Sequence, residues 1–196
     1  MVKILKIGGS IITDKSKSSC PRSPEIVRIS KEIASSPSGL VLVHGAGSFG
    51  HMPAKKYGLP GRFSPEGVRV THASVLKLNE MVVEALSRAG ANPVPVSPFN
   101  CTVLRSGRIK SMELSPLKEM LRRGMLPVLH GDVAMDSEKG AGIVSGDQLV
   151  SYLSRNLKAE IAAIGTNVDG VILDGRVLQV VTEEDFSSLK FGPGSG

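Results

Sequence analysis

Two hydrophobic patterns alternate along the chain. Short, continuous apolar runs predict buried strands at residues 2–7, 40–43, 93–96, 126–130 and 160–165. Apolar residues at helical spacing predict helices, which begin at Ser23 and Ser115 or span residues 71–89 and 147–157. This alternation is typical of an α/β fold, an αβα sandwich whose mainly parallel sheet is covered on both faces.

Other segments predict hairpins that decorate the ends of this sheet. Their turns contain glycine after a short strand-like run, as hairpin turns commonly do. They span residues 103–112 with a turn at Ser106-Gly107, residues 133–144 with a turn at Glu138-Lys139-Gly140, and residues 171–181 with a turn at Asp174-Gly175.

The composition is that of an ordinary globular protein. Of the 196 residues, 41% are hydrophobic and 21% are charged, which predicts one domain with a substantial core. The sequence has neither an apolar run of about 18 residues nor a signal-peptide pattern, and we therefore expect a cytoplasmic protein. Cys20 and Cys101 lie far apart, so neither is predicted to be a metal ligand or half of a disulfide.

The net charge of +6 is compatible with nucleic acid or with small anions as partners. The basic residues are scattered, however, and the chain has no Trp and only five Phe. No stripe of basic and stacking residues, as in nucleic-acid-binding proteins, is present. An enzyme that acts on anionic substrates is the more economical interpretation, and we expect neither a nucleic-acid nor a membrane partner.

Glycines directly follow the first two predicted strands. Lys6-Ile7-Gly8-Gly9-Ser10 follows the apolar run at residues 2–5 and so includes the end of the first strand, and Gly45-Ala46-Gly47-Ser48-Phe49-Gly50-His51 follows the second strand. Backbone N–H groups without side chains in the way can approach an anion closely. Two such loops at one cleft would suit phosphoryl transfer between two phosphate-bearing ligands.

The same residues have purely structural interpretations. Gly8-Gly9 is compatible with a tight turn, Lys6 with an edge-strand lysine whose head is in solvent, and His51 with a structural histidine. Lys15, in a polar stretch, is compatible with a solvated loop charge. The spacing of the second loop also matches the dinucleotide fingerprint, but the acid that should end the next strand is missing.

Polar stretches later in the chain carry the same ambiguity. Gly131-Asp132 and the stretch Thr166-Asn167-Val168-Asp169-Gly170 each follow a predicted strand. They would lie at the carboxyl edge of the sheet, where open α/β sheets bind ligands, or they are simple polar turns. Ser145-Gly146-Asp147 precedes a helix, where Asp147 is either an N-cap or an acid that orients lysines.

In this order the motifs resemble the amino acid kinase superfamily. The matching pattern is Lys6-x-Gly8-Gly9-Ser10, then an HGxG loop at residues 44–47, then Ser145-Gly146-Asp147, then Thr166-x-x-Asp169-Gly170. Within the superfamily, the stretch Gly47-Ser48-Phe49-Gly50-His51 resembles the isopentenyl phosphate kinases, as do Lys15 after Ile12-Thr13-Asp14 and the stretch Gly131-Asp132-Val133. The resemblance covers residues 2–189 and implies the amino acid kinase type of sandwich.

This resemblance implies ATP-dependent phosphorylation of isopentenyl phosphate to isopentenyl diphosphate, a step of isoprenoid biosynthesis. It implies Mg²⁺ that arrives with ATP and is held mainly by phosphate oxygens, so no protein metal ligand is expected. Homodimers are common among such enzymes. The alternatives are a kinase of the same fold for another small phosphate, phosphonate or carboxylate, and an inactive ligand-binding domain.

The resemblance also implies roles for individual residues. Lys6 and Lys15 would neutralise the transferring phosphoryl group, and Asp147 would hold both lysines in place. Gly8, Gly9 and Gly47 would offer backbone N–H groups to the phosphates. His51 would bind the acceptor phosphate, and no general base is expected. The expected acceptor-site residues are Gly8, Gly9, Ser10, Gly45, Ala46, Gly47, Gly50, His51, Gly131 and Asp132. The expected ATP-site residues are Lys6, Gly8, Ser10, Gly146, Asp147, Thr166, Asn167, Asp169 and Gly170.

The apolar stripe of the helix at residues 71–89 is a candidate wall for the isoprenoid tail. Val75, Leu78 and Val82 would line that slot, and the alternative is that the whole stripe is ordinary core. We expect residues 1–130 to form the acceptor part and residues 131–196 a partial nucleotide part.

This sequence departs from the family pattern in two respects. The family usually has Asp at the position of Asn167. Its members also continue into a Thr-Gly-Gly-Met segment and a downstream lysine, whereas this chain ends after the glycine-rich stretch 191–196. The resemblance therefore predicts a chain truncated at its C-terminus: a fragment, an incomplete product, or a chain whose missing part is supplied otherwise.

Overall fold

The computed structural model describes residues 1–173 and 176–182 of the chain. The strands are β1 Lys3–Ile7, β2 Leu40–His44, β3 Pro93–Pro95, β4 Thr102–Arg105, β5 Arg108–Met112, β6 Leu126–His130, β7 Asp132–Asp136, β8 Gly140–Val144, β9 Ile161–Gly165, β10 Ile172–Leu173 and β11 Arg176–Val177. The helices are α1 Gly9–Ile12, α2 Ser23–Ala34, α3 Gly47–Lys56, α4 Pro65–Arg88, α5 Pro98–Cys101, α6 Ser115–Arg122 and α7 Gly146–Leu157.

The central sheet has the strand order β3-β6-β2-β1-β9, and every neighbouring pair in it is parallel. Alternate residues of β2 enter two separate cores, as expected for a strand buried on both faces. Val41 and Val43 pack with α6 and α7, whereas Leu40 and Leu42 pack with α2 and α4. The predicted αβα sandwich with a mainly parallel sheet is therefore confirmed.

Helix α4 begins earlier than the apolar stripe alone predicts. Ser64 caps it by accepting a hydrogen bond from Gly67 N at 3.0 Å, and Pro65 occupies the first turn, where its missing N–H is not needed. Three residues of its stripe are almost completely buried in the core beneath the sheet: Val75 (0% exposed), Leu78 (0%) and Val82 (3%). The prediction that these residues line a slot for the isoprenoid tail is wrong, because they are ordinary core.

Helix α3 was not predicted, because its sequence contains Gly47, Gly50 and Pro53, which are poor helix formers. Tertiary packing stabilises it instead. Phe49 is only 2% exposed within the core, and Gly50 lies so close to Ala46 and to Val75 of α4 that no side chain would fit. Gly50 thus lets two helices pack closely.

A second sheet, of order β5-β4-β7-β8, contains the predicted hairpins at residues 103–112 and 133–144, and both are confirmed. Asp136 joins their turns, because its carboxylate accepts from the backbone N–H of Gly107 at 2.6 Å, Glu138 at 2.8 Å and Lys139 at 2.9 Å. Burial would raise the pKa of Asp136, but these backbone donors lower it to about 2.

Strands β10 and β11 form an antiparallel pair, as predicted. The turn expected at Asp174-Gly175 and the terminal stretch 191–196 lie outside the described residues. The predicted division at residue 130 stays a prediction, and both parts contribute strands to the central sheet. No helix in the described part of the chain has the length and apolar character needed to cross a membrane.

Candidate active site

Neighbouring strands of the central sheet reach glycine at the same edge. The sheet hydrogen bonding continues onto these residues, since Gly8 N donates to Gly165 O at 2.9 Å and Gly45 N donates to Ile7 O at 2.9 Å. The N–H of Gly8 is therefore engaged within the sheet, and the prediction that Gly8 offers it to a phosphate is wrong. The glycine row along this carboxyl edge consists of Gly8, Gly45, Gly131 and Gly165.

Residues 8–10, the first glycine loop, and residues 45–47, the second glycine loop, touch backbone to backbone. A Cβ on Gly9 would lie 2.5 Å from Gly47 N, and a Cβ on Gly45 would lie 2.5 Å from Gly9 N. Gly47 has a φ of +51°, which L side chains rarely adopt. Only glycine allows the two loops to approach this closely.

The N-termini of several helices meet at this edge. The first glycine loop runs into α1, and the second runs into α3. A Cβ on Gly131 would lie 3.3 Å from Ala46 N and 3.5 Å from Gly146 N, so the start of α7 is adjacent as well. The first turn of a helix leaves N–H groups without partners inside the helix, and those groups favour an anion.

Lys6 extends from β1 toward this convergence, on the same strand face as the core residue Ile4. Its Nζ lies 2.7 Å from Asp147 Oδ1, and its stem passes over Gly146, whose Cβ would lie 3.2 Å from Lys6 Cε. The N-cap of α7 is Ser145, which accepts from Gln148 N at 3.2 Å, so the interpretation of Asp147 as the N-cap is wrong. Asp147 is instead the ion-pair partner of a lysine that is only 9% exposed.

The segment after β9 lies beside the first glycine loop. Ser10 Oγ donates to Asn167 Oδ1 at 3.2 Å, and a Cβ on Gly8 would lie 3.9 Å from Thr166 Cα. Asp169 is exposed to solvent. Gly170 lies against the small hairpin instead, because a Cβ there would be 3.0 Å from Val177 Cγ1. The structure therefore groups Ser10, Thr166 and Asn167 on one side of the loop.

His51 and Lys15 are both exposed. His51 is not in a loop, as the sequence predicted, but in the second turn of α3, four residues after Gly47. Residues four apart lie on one face of a helix, so His51 is positioned above the second glycine loop. Lys15 belongs to the exposed segment that follows Thr13, and its orientation by Asp147 stays a prediction.

The sequence pattern of the amino acid kinase family matches residues 1–192. The isopentenyl phosphate kinase of Methanothermobacter thermautotrophicus is 37% identical, over 95% of this chain and 77% of that protein. That of Methanocaldococcus jannaschii is 32% identical, over 96% of this chain and 78% of that protein. The chain belongs to the amino acid kinase family, among its isopentenyl phosphate kinases.

Solved structures agree with this assignment. An isopentenyl phosphate kinase structure matches this kinase with a TM-score of 0.83 and 38% identity, over 87% of this chain and 75% of that one. A product complex of the Thermoplasma acidophilum isopentenyl phosphate kinase matches with a TM-score of 0.79 and 36% identity, over 87% of this chain and 72% of that one. The sandwich described above is thus the amino acid kinase fold.

Asp132 of this kinase does not face the site. Its carboxylate is fully buried, with Oδ1 accepting from Val133 N at 2.7 Å and Oδ2 lying 2.8 Å from His72 Nδ1. The prediction that Asp132 contacts the substrate is therefore wrong. The hydrogen bond to Asp132 raises the pKa of His72, whereas burial raises the pKa of Asp132.

Two buried histidines lie beneath the glycine row, and no role was predicted for either, although one of them opens the HGxG loop. His44 and His130 end paired strands, and their ring centroids are 5.7 Å apart. Nδ1 of His44 lies 3.1 Å from Gly45 O, and Nδ1 of His130 lies 3.3 Å from Gly131 O. Burial lowers the pKa of both, that of His130 to about 3, so the rings are neutral supports for the glycines. The sequence signal that the two share is that each histidine directly precedes a glycine at a strand end.

Proposed function

We propose that this kinase transfers the γ-phosphoryl group of ATP to isopentenyl phosphate and so forms isopentenyl diphosphate. The observation that carries the proposal is the contact between the two glycine loops near the ion pair of buried Lys6 with Asp147. That contact brings the starts of α1 and α3 together, and the start of α7 beside Lys6 is close by. The isopentenyl phosphate kinases of Methanothermobacter thermautotrophicus and Methanocaldococcus jannaschii, which are 37% and 32% identical to this chain, support the choice of acceptor.

In the proposed reaction, an oxygen of the acceptor phosphate forms a bond to the γ-phosphorus of ATP. The bond from that phosphorus to the β–γ bridging oxygen breaks, and ADP leaves. The second pKa of a phosphate monoester is about 6, so the attacking oxygen is already anionic near neutral pH and needs no general base. The protein contributes position and charge stabilisation.

Lys6 is suited to stabilise the transferring group, because Asp147 holds its ammonium at the start of α7. On the nucleotide side we place Ser10, Gly146, Thr166, Asn167, Asp169 and Gly170. On the acceptor side we place Gly9, Gly45, Ala46, Gly47, Gly131 and His51, with Lys15 assisting Lys6.

The side chains around this site suit a Mg²⁺ ion that is held mainly by the phosphates of ATP and not by the protein. Within residues 1–173 and 176–182, no group of three or more His, Cys, Asp or Glu side chains could form a protein cage for a metal. Mg²⁺ keeps several waters and prefers phosphate oxygens, so the nucleotide would supply most of its ligands. When bound, it would neutralise phosphate charge. The cytoplasmic location expected from the sequence pattern and the homodimer that the resemblance implies both stay predictions.

The proposal can be tested with the purified protein, ATP and Mg²⁺. Isopentenyl phosphate would be compared with uridylate, acetylglutamate and fosfomycin, with product identified by ³¹P NMR. We expect kcat/KM for isopentenyl phosphate to exceed that of each competitor by at least about tenfold. A preference for another acceptor would refute the assignment. Binding of isopentenyl phosphate without turnover would instead support the inactive-domain alternative.

A further inference from the structure

We propose that Thr13 is a positioning residue that sets the separation of the two glycine loops, and with it the alignment of the acceptor phosphate and the transferring phosphoryl group. This inference rests on the proposed phosphoryl transfer. Thr13 lies between the loops and is 0% exposed, so it acts through the loops that it touches.

The hydroxyl group of Thr13 bonds to both loops at once. Its Oγ1 donates to Gly9 O at 2.7 Å, and it accepts from Ser48 N, in the first turn of α3, at 3.0 Å. Both bonds are buried, so water does not replace either partner. One hydroxyl group, acting as donor and as acceptor, therefore connects the first glycine loop to α3, the helix that follows the second glycine loop.

Thr13 also fills the space that a side chain at Gly47 would need. A Cβ on Gly47 would overlap Thr13 Oγ1 and would lie 2.8 Å from Thr13 Cγ2. The left-handed backbone of Gly47 thus packs directly on this side chain. A shift of Thr13 would move Gly47, which in turn touches Gly9.

The same network anchors the segment that carries Lys15. Thr13 pairs with Pro21 in an isolated antiparallel bridge, and Asp14 N donates to Cys20 O at 2.9 Å. Cys20 N then donates to Ser48 Oγ at 3.2 Å. Both ends of the segment are therefore tied to α3, so Thr13 influences both glycine loops and the base of the lysine segment.

In-line phosphoryl transfer depends steeply on geometry, and a displacement of about 1 Å can cost about 10²-fold in rate. Thr13→Val keeps the shape of the side chain and removes the hydroxyl group. We expect kcat to fall by about 10–100-fold, while the KM values for ATP and isopentenyl phosphate change by less than about threefold, because each loop keeps its own contacts. Thr13→Ser, which restores the hydroxyl group, should return kcat to within about threefold of wild type.

Thr71→Val is the matched control. Thr71 is also a buried threonine, 1% exposed, but its hydroxyl group has no hydrogen-bond partner among the described residues. The same chemical change there should leave kcat unchanged. Activity would be normalised to folded protein, measured by circular dichroism well below the Tm of each variant.

Wild-type kcat in folded Thr13→Val protein would overturn the inference, as would a kcat in Thr13→Ser as low as that in Thr13→Val. If Thr13→Val does not fold, Thr13→Cys decides the question: a weak hydrogen-bonding thiol should lower kcat at least about threefold, and an unchanged kcat would overturn the inference. Failure of the proposed function is distinguishable, because the wild-type protein itself would then not phosphorylate isopentenyl phosphate.

Discussion

Lys6 and Asp147 are 141 residues apart in the sequence, yet Lys6 Nζ and Asp147 Oδ1 are 2.7 Å apart in the fold. The lysine comes from a central strand and the aspartate from the first turn of α7. Asp147 keeps one face open, with 58% of its side chain exposed, whereas the side chain of Lys6 is only 11% exposed. The ion pair therefore fixes the position of the Lys6 ammonium group at the start of α7, near the edge where the glycine loops meet.

Lys6→Met should abolish most of the activity, because it keeps the apolar stem and removes the charge. We expect kcat to fall by about 10²–10³-fold, as for other single groups that stabilise a transition state. Steady-state kinetics with isopentenyl phosphate would measure the loss. Lys118→Met, at an exposed position of α6, is the control and should retain wild-type kcat. Equal activity of the two variants would remove Lys6 from the mechanism.

His51→Ala should lower kcat/KM for isopentenyl phosphate by about 10–100-fold, because a hydrogen bond to a charged group contributes about 1.5–3 kcal/mol. His51→Gln keeps an N–H donor and should lose less. The Tm should hardly change in either variant, since His51 is exposed. Wild-type kinetics in His51→Ala would show that the ring does not contact the acceptor.

Leu78→Ala should destabilise the protein without altering its choice of acceptor. Leu78 is 0% exposed in the core, so truncation should lower the free energy of unfolding by about 2–5 kcal/mol. Urea denaturation would measure this loss. The ratio of kcat/KM for isopentenyl phosphate to that for a longer isoprenoid phosphate should stay at its wild-type value. A changed ratio would show that Leu78 does line the site of the isoprenoid tail, contrary to what its burial indicates.

Acidification should destabilise the fold through the buried histidines. The folded-state pKa of His130 is about 3, whereas an unfolded histidine has a pKa near 6.5. Only the unfolded state gains the proton between these values, so the stabilisation present above pH ~6.5 is lost as the pH falls toward 3. His130→Gln should make stability less dependent on pH between about 6.5 and 4.5, measured by urea unfolding at each pH. An unchanged slope would contradict the neutral buried ring.

The parallel sheet and the hairpins were predictable because their signals are local, in apolar runs and in turn glycines such as Gly107 and Gly140. Helix α3 could not be predicted in this way, because its packing on α4 overrides the poor helix propensity of Gly47 and Pro53.

Within the site, Lys6 and Gly9 could be predicted from the sequence, because a lysine and glycines at the end of a strand are typical of an anion-binding loop. The carboxylate of Asp132 was misjudged, because its partner His72 lies 60 residues earlier and only the fold brings the two together. For the same reason, the bridging role of Thr13 depends on a contact that spacing along the chain does not reveal.

The turn at Ser106-Gly107 lies on a surface hairpin, yet hydrogen bonds connect it to the first turn of α7, which carries Asp147. Gly107 N donates to Asp136, and Gly107 O accepts from Gln148 Nε2 at 3.2 Å. Gln148 directly follows Asp147, the partner of Lys6. Its exposure makes this hairpin an obvious insertion site for a tag or a fused domain. Such an insertion would disturb the first turn of α7, whose Asp147 holds Lys6 in place.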